Sequence, residues 1–329
     1  MELNKIFTSH MVFAAHKPIK IYGSGKGRAE ISFAGEKTVC ISDSENWSIE
    51  LPPMEYGGPY SMSVILENRS LILEDIYIGD VFLFAGQSNV DFKVGESTLP
   101  RESYKSNDML RIFSADNKTD KFTSDDGWVI CKKEEVEYWS ALAYSVGDEI
   151  AKKKDVAVGC IVCYQGASAI ESWVPKGTFS DIVIQEPKPD HTSGQYGSWN
   201  FDGFLYENSL SKVIPYNLSA VVWYQGETDT YETEGLVYAD ELCRLIEVWR
   251  KDFYDEDLPF VIIQIADFIE RNDRGWQLVQ EAQMKVQLMM KNTKTVVSRD
   301  VCENDEIHPK TKDKLAKRVS GVILNDISL

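Results

Sequence analysis

The sequence is poor in long apolar runs, in positive charge and in histidine. Nowhere in its 329 residues does an apolar run approach the roughly 18 residues of a membrane-spanning helix. Its net charge of −17 would repel nucleic-acid phosphates and anionic membrane surfaces. We therefore expect neither a nucleic acid nor a membrane as a partner.

Cofactor motifs are also missing. The sequence has no Walker loop, no dinucleotide-binding glycine motif and no metal-ligand cluster, so we expect no cofactor and no metal. Cys160 and Cys163 lie three apart on a predicted strand and point to opposite faces, which excludes a shared metal or disulfide. Scattered cysteines and the absence of a basic, apolar leader predict a cytoplasmic location, unless a leader has been removed.

The chain changes character near residue 78. Residues 1–78 alternate apolar and polar side chains with the period of a strand, and glycine-rich turns separate the runs. This pattern predicts a small antiparallel β-sandwich-like domain with a structural role, glycan binding being the alternative. Residues 79–329 alternate short apolar strands with amphipathic helices, which predicts an α/β domain with a parallel sheet. A polar loop at 176–200 is expected beside the site.

The predicted strands of the second domain are 81–85, 110–114, 157–163, 219–225, 259–265 and 295–298. Four helices are predicted from apolar faces with spacings of three and four residues. These faces are Leu142/Val146/Ile150, Tyr238/Leu242/Leu245/Trp249, Val279/Ala282/Val286/Met289 and Leu315/Val319/Val322/Ile323.

Ser88 is the most informative residue. The apolar run 81–85 stops at Gly86 and is followed by Gln87, Ser88 and Asn89. A buried strand that ends in glycine and presents a serine is how α/β folds expose a hydroxyl at the carboxyl edge of the sheet. Backbone N–H groups at such an edge stabilise a developing negative charge. Taken alone, the same pattern also fits a serine that caps a helix.

His308 is the best candidate for the base. It is one of four histidines and lies three residues after Asp305. A carboxylate at that distance can accept the Nδ1 proton, which leaves Nε2 free to take a proton from a serine. Pro309 suits the first turn of a following helix. An α/β-hydrolase is excluded, because Val90 replaces the second glycine of its serine motif.

Five ordered motifs carry a family resemblance. They are residues 86–89 (GQSN), 163–173 (CYQGASAIESW), 205–215 with LYEN and a final proline, 221–229 (VVWYQGETD) and 305–309 (DEIHP). The chain resembles sialate O-acetylesterase-type carbohydrate esterases of the SGNH hydrolase superfamily. The resemblance covers nearly the whole chain and implies a flavodoxin-like three-layer catalytic domain. Two departures are Ala167, in place of a second glycine, and the ending Glu227-Thr228-Asp229.

The resemblance implies a serine esterase that removes O-acetyl groups from a carbohydrate. Ser88 is then the nucleophile, His308 the general base and Asp305 the orienting acid. The oxyanion hole consists of the Ser88 and Gly166 N–H groups and the Gln225 side chain. Five further residues are expected to bind substrate or support the site: Gln87, Glu171, Trp173, Trp199 and Glu227.

The sequence leaves the substrate open. Sialic acid and acetylated hemicellulose oligosaccharides are both compatible with the motifs, and a homo-oligomer is possible. An inactive or weakly active carbohydrate-binding relative is the alternative, because of Ala167 and Thr228-Asp229. A glycosidase that uses Glu171 and Glu227 as its two carboxylates is a third hypothesis.

Overall fold

The computed structural model describes residues 1–115, 121–195 and 197–327. Its strands, numbered in chain order, are β1 (Glu2–Leu3), β2 (Val12–Ala14), β3 (Ile19–Ser24), β4 (Gly27–Phe33), β5 (Glu36–Ser42), β6 (Asn46–Leu51), β7 (Gly57–Leu66), β8 (Arg69–Gly86), β9 (Asn107–Ser114), β10 (Val129–Cys131), β11 (Val158–Tyr164), β12 (Ala220–Tyr224), β13 (Phe260–Ile263) and β14 (Thr293–Val296). Its α-helices are α1 (Ser88–Asp91), α2 (Ala141–Lys154), α3 (Phe204–Asn208), α4 (Glu232–Gly235), α5 (Tyr238–Asp252), α6 (Arg274–Met289) and α7 (Lys312–Asn325).

The fold is α/β. Six strands run parallel in the order β9-β11-β8-β12-β13-β14, and β10 pairs antiparallel with the β9 edge. The central strand β8 reads as a continuous apolar run near its end and is buried from Gly79 to Gly86. This is the pattern of a parallel strand covered on both faces.

The helices of this part pack in two pairs. Helix α2 packs against α7 and against β11, whereas α5 packs against α6. The predicted apolar faces of α2 and α5 are buried throughout, which confirms both predictions. In α6 the prediction is wrong at Met289, which ends the helix and is 46% exposed.

Antiparallel strands form the N-terminal part. Strands β1, β3 and β6 form a small sheet, and β5, β4 and β7 lead antiparallel into the first half of β8. Strand β6 buries every second residue, as its alternating sequence predicts. The predicted boundary at 78/79 lies inside β8, which runs unbroken from Arg69 to Gly86. One strand therefore joins the antiparallel part of the sheet to the parallel part.

Candidate active site

Three neighbouring parallel strands end side by side. Strand β8 lies between β11 and β12, and the last residues of those strands, Tyr164 and Tyr224, both pair with Gly86. The residues that follow these strand ends, Ser88, Gly166 and Gln225, therefore reach the same edge of the sheet. Crevices at this edge are where open α/β sheets bind their ligands.

Gly86 makes the turn that exposes the serine. Its φ is +142°, and a Cβ atom there would lie 2.1 Å from the Tyr224 carbonyl oxygen. Only glycine fits this close approach of two strands. The chain then turns at Gln87, whose N–H donates to the Tyr224 carbonyl at 3.2 Å, and α1 begins at Ser88.

Ser88 and His308 meet at this edge. The Ser88 Oγ lies 2.7 Å from Nε2 of His308, and both residues are partly exposed. A serine that donates to Nε2 requires the neutral imidazole to carry its proton on Nδ1. Burial, aided by the nearby Lys312 ammonium, lowers the pKa of His308 below its ordinary value of 6.5. The imidazole is therefore neutral near pH 7 and able to accept a proton.

Backbone donors lie beside the serine. A Cβ atom on Gly166 would lie 3.7 Å from the Ser88 Cβ, so the two residues are neighbours across β8 and β11. Within the described residues, neither the Ser88 N–H nor the Gly166 N–H donates to a protein acceptor. Two unpaired N–H groups next to a nucleophile can stabilise an oxyanion.

Gln225 does not supply the third donor in this structure. The residue is fully buried, and its Nε2 donates to the Ser168 carbonyl at 2.7 Å and to the Asp229 carboxylate. Its Oε1 accepts from the Tyr238 hydroxyl at 2.8 Å. Both amide protons are thus already used. The expected oxyanion role requires a free N–H group. In this structure the Gln225 side chain instead hydrogen-bonds to the loop that follows β11 and stabilises it.

Asp305 is not bonded to His308 in this structure. Its side chain is exposed, and among the described residues no hydrogen bond or ion pair joins His308 to a carboxylate. Pro309 also lies outside the helix that it was expected to begin, because α7 starts at Lys312. The three residues 309–311 leave His308 in a loop, which explains why Asp305 can point to solvent.

A comparison with known protein families identifies the family of this chain. The family model described as carbohydrate esterase, sialic acid-specific acetylesterase, matches residues 78–323. The chain belongs to this family. The match includes Ser88, Gly166 and His308 and leaves out most of the antiparallel N-terminal part.

Relatives of this esterase family align with most of the chain. Human sialate O-acetylesterase is 25% identical over 348 residues, which cover 91% of this chain and 65% of the human protein. The mouse sialate O-acetylesterase is 24% identical and is covered to 64%. The chain thus spans slightly less than two thirds of these relatives. A carbohydrate acetylesterase from Xanthomonas citri has the same fold, with a TM-score of 0.86, 23% identity and coverage of 99% of this chain and 75% of that structure.

Ala167, which the resemblance expects to be a glycine, has a backbone conformation that favours glycine. Its φ is +53°, a left-handed conformation that costs a residue with a Cβ about 1 kcal/mol. Asn200 holds this segment from the other side, since its amide bonds to the Ala167 carbonyl at 2.9 Å and to the Ala169 N–H at 2.9 Å.

Three of the five residues predicted to bind substrate or support the site are buried and bonded to other protein groups. Trp173 is fully buried, packs edge-on against Trp223 and donates to Ser168. Glu227 is 6% exposed and accepts a hydrogen bond from Asn89. Gln87 is 3% exposed, and its Oε1 lies 3.5 Å from the Gly226 N–H donor.

Glu171 and Trp199 retain partial exposure. Glu171 is paired with Lys188, which also binds the buried Glu241. Trp199 accepts a hydrogen bond at its carbonyl from Ser172 and remains the better aromatic candidate for sugar contact. Glu171 bonds to Lys188 and Glu227 to Asn89, so the two carboxylates of the glycosidase hypothesis have different partners.

The polar loop 176–200 is tied to the protein by charge. Lys188 joins Glu171 and Glu241, and His191 bonds to the fully buried Glu234 at 2.6 Å. The hydrogen bond to the Glu234 carboxylate raises the pKa of His191. The loop therefore places Lys188 and His191 against buried carboxylates.

Three residues near the site had no role assigned from sequence: Asn89, Asn200 and Lys312. Asn89 stands inside the serine motif, and Lys312 follows His308 by four residues, which was the available signal. Among the residues that the structure describes, no group of three or more histidine, cysteine or acidic side chains could hold a metal ion. No helix in the described ranges is long and apolar enough to cross a membrane.

Proposed function

We propose that this chain is a serine esterase that removes O-acetyl groups from a carbohydrate. The observation that carries the proposal is the 2.7 Å contact between the Ser88 Oγ and Nε2 of His308 at the carboxyl edge of the sheet. Family membership supports the carbohydrate ester as the substrate class. The relatives named sialate O-acetylesterase favour sialic acid, while acetylated hemicellulose oligosaccharides are the second class to test.

The reaction follows from the geometry. The Ser88 Oγ attacks the acetyl carbonyl carbon while Nε2 of His308 takes the hydroxyl proton. The oxyanion that forms is placed to accept hydrogen bonds from the Ser88 and Gly166 N–H groups. When the intermediate collapses, the sugar oxygen leaves with the proton from His308, and an acetyl-serine remains. Water then attacks this ester, His308 takes a proton from the water, and acetate leaves as Ser88 regains its proton.

Asp305 is proposed as the acid that orients His308. It lies on the same loop, three residues before His308. Its exposed carboxylate would have to rotate to accept a hydrogen bond from Nδ1–H, whose proton the neutral imidazole must keep. The proposal also includes a three-layer SGNH arrangement for residues 79–329 and a small sandwich-like domain for residues 1–78.

The test is acetate release by wild type and by Ser88→Ala. We expect the wild type to hydrolyse p-nitrophenyl acetate and at least one member of a panel of acetylated sialic acids and oligosaccharides. Ser88→Ala should lose at least about 1,000-fold in kcat while its thermal unfolding stays unchanged. Ser180→Ala, which alters an exposed serine, serves as the control and should keep full activity. Retained hydrolysis in Ser88→Ala would contradict the mechanism.

A further inference from the structure

Lys312, the first residue of α7, is a lysine without exposed surface. Its Nζ donates to the Oδ1 of Asn89 at 2.6 Å and lies 4.9 Å from the centre of the Phe92 ring. Burial lowers the pKa of Lys312 to about 8. Lysine is almost never fully buried unless it is paired, because removing an ammonium from water is costly.

The ammonium fixes the orientation of the Asn89 amide. A lysine can only donate hydrogen bonds, so the Asn89 oxygen must face Lys312 and the Nδ2 must face away from it. In that orientation Nδ2 donates to the Ile307 carbonyl at 3.1 Å and to the Glu227 carboxylate. Removal of the ammonium takes away the donor that the Asn89 oxygen faces and leaves this oxygen unpaired, so the amide loses one of the contacts that hold it in place.

The Asn89 bond joins the two halves of the site. Asn89 directly follows Ser88, and Ile307 directly precedes His308. A hydrogen bond between these neighbours fixes the distance between the serine turn and the histidine loop. Glu227 lies close enough to Lys312 to favour its charged form, and burial raises the pKa of the Glu227 carboxyl. The three side chains form one buried network beneath the Ser88–His308 contact.

We propose that Lys312 is a positioning residue, which orients Asn89 so that the His308 loop is held against Ser88. The inference rests on the proposed esterase function and adds a role for a residue that contacts neither Ser88 nor His308 by a hydrogen bond. It also explains how His308 keeps its place in a structure where Asp305 does not bond to it.

The charge of Lys312 acts on His308 as well. The charged groups that influence the imidazole are Lys312, which disfavours the imidazolium, and Glu96, Glu306 and Asp91, which favour it. Removal of the lysine charge leaves the carboxylates unopposed. The pKa of His308 therefore rises in Lys312→Met, which keeps the length of the side chain and removes the ammonium.

The experiment compares wild type, Lys312→Met and Lys310→Met with p-nitrophenyl acetate across the pH range. Lys310 is the matched control, because it lies two residues away on the surface and its ammonium pairs, among the described residues, with Glu306. We expect kcat of Lys312→Met to fall by about 10- to 100-fold, with KM within about twofold of wild type, because the reacting groups are misplaced. The acid limb of its rate profile should move to higher pH, whereas Lys310→Met should match wild type.

An NMR titration of the His308 ring gives a readout that does not depend on activity. The His308 resonance should titrate at higher pH in Lys312→Met than in wild type. If wild type has no esterase activity, the proposed function fails, whereas the shift still shows that the Lys312 charge acts on His308. If wild type is active and kcat is unchanged in a folded Lys312→Met variant, the positioning role is wrong, whether or not the His308 resonance shifts.

Asn89→Asp covers the case in which Lys312→Met does not fold. An aspartate keeps an acceptor for Lys312 but replaces the amide donor with a second acceptor that repels the Ile307 carbonyl and Glu227. We expect the same loss of kcat with little change in KM. A folded Asn89→Asp variant with wild-type kcat would overturn the proposal.

Discussion

The Ser88 Oγ and the His308 Nε2 lie 2.7 Å apart, although 220 positions of sequence separate the two residues. The contact depends on two loops, one after β8 and one before α7, and on the burial of the imidazole. Because burial, with Lys312 as the second cause, lowers the pKa of His308, the neutral base persists to lower pH than in an ordinary histidine.

The pH dependence of kcat/KM should reflect that shift. The base must be neutral to accept the serine proton, so activity falls as pH drops through the pKa of His308 in the free enzyme. We expect the acid limb of the profile to lie below 6.5, the ordinary value. Rates with p-nitrophenyl acetate from pH 4.5 to 9, under conditions where the fold is intact, provide the measurement. An acid limb above that value would contradict the electrostatics of the site.

Asp305→Asn tests the third member of the proposed triad. If the carboxylate rotates onto Nδ1 during the reaction, its loss removes the acceptor that keeps the imidazole in the required tautomer. We expect kcat to fall at least about tenfold, with KM little changed. The neighbouring Glu306→Gln is the control, because that carboxylate is exposed and bonds to Lys310. Equal activity of Asp305→Asn and Glu306→Gln would contradict the role of Asp305 as the orienting acid.

Much of the parallel sheet was predictable from the sequence. Short apolar runs such as 81–85 have to be buried on both faces, and this predicted five of the six parallel strands, and the carboxyl end of β8, to within a few residues. The course of β8 was not predictable, because its first half alternates and its second half is uniformly apolar. The two hydrophobic patterns therefore predict two separate segments, whereas the backbone forms one strand of 18 residues.

The site was predictable only in part. The positions of the motifs predicted that Ser88, Gly166 and His308 lie at one edge of the sheet, because the parallel strands end there. They could not reveal how Gln225 and Glu227 are bonded, because their partners Ser168, Tyr238 and Asn89 come from other elements. A polar side chain that ends a buried strand has the same sequence signal whether it faces substrate or braces a loop.

Gly86→Ala tests the turn before the serine. A Cβ at this position would lie 2.1 Å from a backbone oxygen, and the φ of +142° disfavours any side chain. We expect a loss of about 3 kcal/mol or more in the free energy of unfolding. Gly177→Ala is matched by its own positive φ of +83° but has no atom within 4 Å of the new Cβ. Gly177→Ala should lower the free energy of unfolding by only about 1 kcal/mol. A similar loss in both variants would show that the close approach of β8 and β12 at Gly86 adds no further cost.

Lys188→Met tests the attachment of the loop 176–200. Its ammonium lies between Glu171 and Glu241, and Glu241 is 1% exposed. Burial raises the pKa of the Glu241 carboxyl even with Lys188 present. Loss of the cation leaves a buried charge unpaired, and we expect the free energy of unfolding to fall by about 3–5 kcal/mol near pH 8.

Acid should rescue this variant. A carboxyl whose folded pKa is raised contributes stability below its unfolded pKa, and that stability is lost as pH rises through the folded pKa. In Lys188→Met the folded pKa of Glu241 moves higher still, so the deficit relative to wild type should shrink as the pH falls from 8 towards 5. Thermal unfolding at several pH values measures the deficit, with the exposed Lys176→Met as the control. A deficit that does not change with pH would mean that Lys188 stabilises the loop by packing rather than by charge.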